Sequence, residues 1–277
     1  MPGDLFTALN SQMVRHRFRA NPKFGQNFVV DPELIVRAIS AAELKKTDSV
    51  LEIGAGSGFL TRALLEHAKV TAVETDKTLC ELLQEDLGKN KKFKLICGDF
   101  IRAKLPKFTK VVSFPPYTIS SGIIYKLIEH DFKLAVLVFQ REFAQKLTAE
   151  PGFMEYGPIS VVANYFFEPE ILERNISPSA FFPRPKTFSA LLKLTPKKRF
   201  GTVKNEKLFI AFLKSIFRYK NKNLRNALEK SWHFLGSGLN IQEDEFKQIS
   251  DSLPQSDEKV SLLAVDDLVK IFSKFSK

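Results

Sequence analysis

From about residue 48 the chain alternates short, β-branched apolar runs with longer stretches whose apolar residues recur every three or four positions. The apolar runs predict strands over 49–53, 70–74, 93–97, 110–114, 134–139, 161–167 and 187–194, and the periodic stretches predict helices over 59–67, 77–88, 120–130 and 141–148. Alternation of this kind up to about residue 195 predicts a mostly parallel, doubly wound α/β sheet with right-handed crossovers. The run 161–167 is apolar throughout, so periodicity leaves it ambiguous between strand and helix. Ahead of the first strand, Asp31 as N-cap and Pro32 at the first helical position open a helix over 31–44 with Leu34, Ile35 and Ala38 on one face. Residues 1–24 carry Arg15, His16, Arg17, Arg19 and Lys23 with few apolar positions after Leu9, which predicts a flexible or half-ordered basic arm.

The pattern changes after Pro196. Segments 205–231, 242–252 and 261–275 read as helices, the last with Leu262, Leu263, Val265, Leu268, Val269 and Phe272 as its apolar positions. Gly236-Ser237-Gly238 reads as a loop between the first two. The expected organisation is a basic arm (1–24), an α/β domain (25–196) and a smaller helical domain (197–277), with no internal repeat.

Composition narrows the function classes. The chain has 277 residues, 44% of them hydrophobic and 26% charged, which is ordinary for a globular protein. No apolar run approaches the length of a membrane span, and Met1-Pro2-Gly3-Asp4 does not begin a secretory signal, so a cytoplasmic protein with no membrane contact is expected. Cys80 and Cys97 and the four histidines show no ligand spacing, so no metal site is expected and the cysteines read as buried free thiols. No assembly signature is visible, and a monomer is expected. The net charge of +11 points to a polyanionic partner, most often nucleic acid, or else to a solubilising surface. The segment 197–230 concentrates this charge: Lys197, Lys198, Arg199, Lys204, Lys207, Lys214, Arg218, Lys220, Lys222, Arg225 and Lys230 face only Glu206 and Glu229.

Chemistry enters with Val50-Leu51-Glu52-Ile53-Gly54-Ala55-Gly56-Ser57-Gly58-Phe59, where a strand ends in glycines spaced G-x-G-x-G and a helical pattern follows. Dinucleotide sites read G-x-G-x-x-G because a helix N-terminus must hold a pyrophosphate. Here the third glycine comes one residue early, which suits a cofactor with an adenosine and no phosphate, S-adenosylmethionine being the candidate; a plain tight turn is the other reading. Glu74 ends the next strand eighteen residues beyond Gly56, where a carboxylate accepts both ribose hydroxyls. Asp99 follows the third strand and serves either as acceptor for the adenine amine or as cap of the following turn. Glu52 is read as half-buried, either touching the cofactor or pairing with a basic side chain. A carboxylate-rich pocket suits a sulfonium cation and repels a pyrophosphate.

With Lys23-Phe24-Gly25-Gln26-Asn27-Phe28 ahead of that strand, the chain resembles the ribosomal RNA adenine dimethyltransferases (the KsgA-like family). Gln140-Arg141-Glu142-Phe143-Ala144, Tyr156-Gly157-Pro158-Ile159-Ser160-Val161, the proline-rich Pro178–Lys186 and the basic Phe217–Leu228 extend the likeness in the right order over about 22–275. The resemblance implies a Rossmann-like methyltransferase domain with a helical C-terminal domain. It implies S-adenosylmethionine as donor and two adjacent adenines of small-subunit ribosomal RNA, in the pre-ribosomal small subunit, as acceptors. Carried over by motif, Asn27, Val29 (where Leu is usual), Gly54, Glu74 and Asp99 would hold the cofactor. Phe181 and Phe182 would stack on a flipped base or pack in the core, and Arg218, Lys220, Lys222 and Arg225 would meet RNA phosphates.

One departure stands at the expected catalytic segment. The family reads Asn-Leu-Pro-Tyr or Asn-Ile-Pro-Tyr after the fourth strand; this chain reads Ser113-Phe114-Pro115-Pro116-Tyr117, with Phe114 in place of the Asn. The N6 lone pair of adenine is delocalised into the ring, and acceptors for its two hydrogens localise it toward the methyl group. Phe114 offers no side-chain acceptor, which leaves the backbone carbonyls of Phe114 and Pro115, with Tyr117 to stack on the base. Ser113, one residue early, points to the other face by strand alternation. Either the enzyme works through backbone acceptors, or Phe114 packs in the sheet and the protein is a weakened or inactive RNA-binding assembly factor.

Overall fold

The structure, a computed structural model, describes residues 4–197 and 203–276, the side chain of Ser237 excepted. Lys198 and Arg199 of the basic segment lie outside the described residues. By contact density the chain divides into two units. The first runs to Ala144 and includes Pro169–Pro196; the second takes Gln145–Glu168 and everything from Lys197.

The alternating pattern of the first unit folds as helices α1 (Leu5–Arg15), α2 (Pro32–Ala42), α3 (Phe59–His67), α4 (Lys77–Leu87), α5 (Ser120–Leu127) and α6 (Arg141–Leu147), the last crossing into the second unit. Its strands are β1 (Phe28–Val29), β2 (Ser49–Ile53), β3 (Lys69–Glu74), β4 (Phe93–Cys97), β5 (Lys110–Ser113), β6 (Leu134–Gln140), β7 (Phe167–Ile176), β8 (Phe181–Phe182) and β9 (Ser189–Pro196). Seven of them form one sheet in the order β4-β3-β2-β5-β6-β9-β7. The first five are mutually parallel, and β9 runs antiparallel to β6. Leu134–Phe139 of β6 are all buried, as befits a strand covered on both faces. A separate two-stranded ladder pairs Phe28 with Phe182 and Val29 with Phe181.

The second unit holds α7 (Pro158–Phe166), α8 (Glu206–Ile216), α9 (Leu224–Leu239), α10 (Glu243–Ser252) and α11 (Val265–Phe275). Its core is aromatic: Phe209 and Phe212 meet Phe272 at centroid distances of 5.1 and 5.5 Å, and Phe246 meets Phe275 at 4.8 Å. The Tyr156 hydroxyl donates to the Leu263 carbonyl at 2.9 Å, closing the loop ahead of α7 onto the segment ahead of α11.

Five expectations are corrected. The helix expected over 205–231 is two helices, α8 ending at Ile216 and α9 starting at Leu224, because Asn223 caps a new helix by accepting from the Asn226 N–H at 3.0 Å. The arm over 1–24 contains a helix, because Asp4 caps it, accepting from the Phe6 N–H at 3.1 Å and the Thr7 hydroxyl at 2.7 Å, and because Leu5 and Leu9 one turn apart are buried. The run 161–167 is helix α7, with β7 starting only at Phe167; Pro158 opens the helix and the Ser160 hydroxyl accepts from the Gly157 N–H at 3.0 Å. Gly236–Gly238 is not a loop, since α9 runs through it. A Cβ at Gly238 would come 2.9 Å from Leu208, and one at Gly236 2.7 Å from the Trp232 ring, so these glycines permit close packing. Of the two free cysteines, Cys80 is buried but Cys97, at the end of edge strand β4, is exposed.

Lys110 anchors the start of β5. It is 7% exposed, donates to the Ala42 and Glu43 carbonyls at 2.9 and 2.7 Å where α2 ends, and pairs with buried Asp48 at 3.2 Å. Removing it leaves a buried carboxylate without its counter-charge, so Lys110→Ala is expected to cost about 3 kcal/mol in urea unfolding. A loss under about 1 kcal/mol would show that the pair does not hold this corner.

Candidate functional site

The connections from β2 and β5 leave in opposite directions across the sheet, β2 through α3 to β3 and β5 through α5 to β6. Such a switch point opens a crevice at the C-terminal strand ends. A cavity of about 310 Å³ lies there, in the size range of small-molecule sites. Its lining includes Asn27, Gly54, Glu74, Asp99, Phe114 and Tyr117.

The glycine loop takes its shape from positive φ angles of 75° at Gly54, 56° at Gly56 and 76° at Gly58. At Gly54 a Cβ would come 2.8 Å from Pro116 Cδ, so this glycine also lets the Pro115-Pro116 segment approach. Glu74 ties the loop down. Its Oε2 accepts from the Gly56 N–H at 2.8 Å, and its Oε1 accepts from the Thr75 and Asp76 N–H groups at 2.8 and 3.0 Å. Burial pushes this carboxyl above the usual range, while the three N–H groups pull it back down. Oε1 is saturated; Oε2 keeps one acceptor position.

The segment ahead of β1 is fixed by a relay not evident in the sequence. Asn21 N–H donates to Gln26 Oε1 at 2.8 Å, and Gln26 Nε2 donates at 2.9 Å to Asp76, which also caps α4. Asn27 Nδ2 donates to the Gly25 carbonyl at 3.1 Å. The turn after β5 carries no N–H at Pro115 or Pro116, and the Pro116 carbonyl accepts from Ile119 at 3.3 Å. Tyr117 is oriented by two serines: its hydroxyl lies 2.6 Å from Ser189 Oγ, and its carbonyl accepts from Ser120 Oγ at 2.9 Å. Ser113 is withdrawn from the cavity, fully buried and hooked onto β2, donating to the Ile53 carbonyl at 2.6 Å and accepting from its N–H at 3.1 Å.

Phe114 both packs in the core and faces the cavity. Its half-buried ring packs against a core cluster that includes Val29, Val138 and Phe181, and it lines the cavity. Asp99 likewise caps its turn, Oδ1 accepting from Ile101 N–H at 2.9 Å, while lining the cavity. Val29 lines a smaller adjoining cavity with Glu52. Buried Phe181 lines the main cavity; Phe182 does not, and its ring meets Phe6 edge-on at 5.2 Å. In the second unit, Lys222 and Arg218 are exposed, the latter over the Phe234 ring at 4.4 Å. Lys220 donates to the Met154 carbonyl at 2.9 Å, and Arg225 pairs with Asp251 at 3.4 Å, so these two already have protein partners. Among the described residues no helix is long and apolar enough to cross a membrane, and no group of three or more His, Cys, Asp or Glu is placed to hold a metal.

Residues 17–254 match the family model described as ribosomal RNA adenine dimethylase. The chain belongs to this family. Its relatives include the probable ribosomal RNA small subunit methyltransferases A of Thermococcus sibiricus, 35% identical over 96% of each chain, and of Pyrococcus furiosus, 36% identical over 93% of this chain and 92% of that one. Among solved structures it is similar to a dimethyladenosine transferase from Plasmodium falciparum, with TM-score 0.76 and 29% identity over 88% of this chain and 95% of that one. It is also similar to the 23S rRNA methyltransferase ErmE, with TM-score 0.63 and 25% identity over 90% of this chain and 99% of that one.

Within this member of the rRNA adenine dimethylases, Glu52 differs from the half-buried residue the sequence predicts. It is 1% exposed, and burial pushes its carboxyl up to about 8, with the Glu74 charge adding to the rise and Thr61 and Arg62 opposing it. A carboxyl whose folded pKa exceeds its unfolded value stabilises the fold at low pH, and that stabilisation is lost as pH rises toward the folded pKa. The ligand-free protein should therefore lose stability between pH 4.5 and 8 on account of Glu52. Glu52→Gln is expected to remove that part of the loss, about 3 kcal/mol by pH 7, in urea unfolding across this range. Parallel profiles for the two proteins would sink the assignment.

Proposed function

We infer that this chain methylates adenine N6 in small-subunit ribosomal RNA, with S-adenosylmethionine as donor, acting as a cytoplasmic monomer on pre-ribosomal small subunits. The observation that carries the reading is the convergence, in one cavity of a dimethylase-family fold, of the Glu74-locked glycine loop, Asp99 and Pro115-Pro116-Tyr117. The residues present fit the donor: the Oε2 position left open on Glu74 suits a ribose hydroxyl, and an acidic wall suits a sulfonium and disfavours a pyrophosphate. When bound, S-adenosylmethionine supplies an electrophilic methyl group on a positive sulfur.

The protein's part is orientation and charge. Asn27, Gly54, Glu74 and Asp99 hold the donor, and Val29 supports it from the adjoining cavity. Tyr117, its ring fixed through Ser189, offers a flat face for a flipped adenine. The carbonyls of Phe114 and Pro115 accept the N6 hydrogens, localising the lone pair toward the methyl carbon. As the N–C bond forms, the methyl–sulfur bond would break and leave a neutral thioether, and the acidified amine would give up its proton to water; no strong base is required, and alignment does the rest. Phe181 packs beside the base, and the basic C-terminal segment, including Arg218, Lys220, Lys222 and Arg225, supplies phosphate contacts that give affinity and salt dependence.

The test is methyl incorporation from labelled S-adenosylmethionine into small subunits lacking the adenine marks. The wild type is expected to transfer methyl groups, and restoring the amide with Phe114→Asn is expected to raise kcat by up to ~10², the worth of one well-placed polar contact to the reacting group. No transfer by the wild type across salt and temperature would refute the reading. Ser189→Ala should lower kcat with little change in donor affinity, since it frees the Tyr117 ring and leaves the donor wall intact. An unchanged kcat would show that Tyr117 needs no such tether.

A further inference from the structure

Behind one wall of the main cavity, two thiols from different elements meet. Cys80, in the first turn of α4, is buried, and its Sγ donates to the Glu74 carbonyl at 3.5 Å. Cys97, the last residue of β4, pairs with the same Glu74 across the parallel ladder and is exposed. The two side chains lie within hydrogen-bonding reach of each other. Burial, and after it the Cys97 side chain, pushes the Cys80 thiol up, so Cys80 stays neutral and Cys97 is the thiol that solvent reaches. Neither takes part in methyl transfer, and among the described residues neither belongs to a metal-binding group. Their chain neighbours line the cavity: Leu79 beside Cys80, and Gly98 and Asp99 after Cys97. The Glu74 carbonyl ties the two sides together, accepting from the Gly98 N–H at 2.7 Å as well as from the Cys80 thiol.

We propose that Cys97 and Cys80 form an oxidative modification site for peroxides, and that their disulfide reshapes the donor cavity. The Cys97 thiolate attacks one oxygen of hydrogen peroxide; the O–O bond breaks, leaving a sulfenic acid on Cys97, and the departing hydroxide takes up the thiol's proton as water. The Cys80 sulfur then attacks the Cys97 sulfur, the S–O bond breaks, and hydroxide leaves with the Cys80 proton as a second water. The two thiols together lose two electrons, and the peroxide gains them. The new bond, about 2.05 Å long, draws the sulfurs in from non-bonded contact. It takes the Cys80 thiol off the Glu74 carbonyl and displaces Gly98, and with it Asp99, in the cavity wall. A thiol reductant reverses the step. The effect on binding rests on the donor assignment above; the disulfide itself does not.

In the experiment, the full chain is treated with hydrogen peroxide, quenched and divided between peptide mapping and titration calorimetry. Tryptic mapping without reductant is expected to join Thr78–Lys89 to Leu95–Arg102, at a mass two hydrogens below the sum of the free peptides. Calorimetry with S-adenosylmethionine is expected to show about 10-fold weaker binding after oxidation, the scale of one lost hydrogen bond, and full recovery after dithiothreitol. Cys97→Ser and Cys80→Ser, shown to be folded by thermal melts, should keep their affinity through the same treatment, which separates the disulfide from oxidation of methionine. An equal loss in the serine variants would overturn the proposal. So would sulfenic or higher acids on Cys97, or disulfides between chains, with no joined pair of peptides. A joined pair with unchanged affinity would overturn the coupling to the cavity and leave the donor assignment standing. Reduced wild type that binds no S-adenosylmethionine would remove the donor assignment and the coupling together.

Discussion

The Glu74 carboxylate gathers three strand ends. Through its side chain it accepts N–H groups from Gly56 after β2 and from Thr75 and Asp76 after β3, and its carbonyl accepts from Gly98 after β4 at 2.7 Å. Each of these backbone groups lies where a parallel sheet runs out of ladder partners, so the carboxylate satisfies donors that would otherwise face the cavity unpaired. The cost is a nearly buried anion, offset by hydrogen bonds that strengthen in the same low dielectric that makes the burial costly. The loop that presents the Gly56 N–H to Glu74 takes positive φ at Gly54, Gly56 and Gly58, which glycine adopts without strain. Gly54, free of a Cβ, then lets Pro116 close the other wall.

The sheet was legible because its pattern is local. A strand over 49–53 ahead of Gly54 and a helix over 59–67 follow from apolar periodicity and glycine spacing, and Asp31-Pro32 announces α2. The misreadings have two causes, a packing partner distant in the chain and a start signal that is short and easily masked by its neighbours. The glycines in α9 look like a breaker until Leu208 is seen against Gly238. The run 161–167 carries no periodicity to choose its state; only the start signal Gly157-Pro158 with Ser160 distinguishes it, and that signal was available. The same holds for α1, whose Asp4 cap and Leu5–Leu9 spacing are local signals set beside a run of basic residues.

At the site, spacing pointed to residues at or just beyond strand ends, and Gly54, Glu74 and Asp99 all line the cavity. What supports them was not legible. Ser189 meets Tyr117 from 72 residues away, and Gln26 meets Asp76 from 50. Charge counting was least informative about geometry. Lys220 and Arg225 read as phosphate contacts in a basic run, yet one closes a loop through Met154 and the other is drawn to Asp251, because exposed basic side chains seek whatever acceptor the fold brings near.

Phe114 links the two unusual features of the site. Asn at this position would bring an acceptor to the base, and it would also bring a dipole to the cavity that Glu52 borders. The aromatic ring removes both, since it lines the two cavities at once. Withdrawing polarity from around a buried carboxyl raises the cost of its ionised form and strengthens, by the same lowering of dielectric, its attraction for a cation. Under the proposed function, an enzyme with Phe114 here leans on backbone carbonyls and a stacked base, and not on a side-chain acceptor, to bring methyl and amine into line.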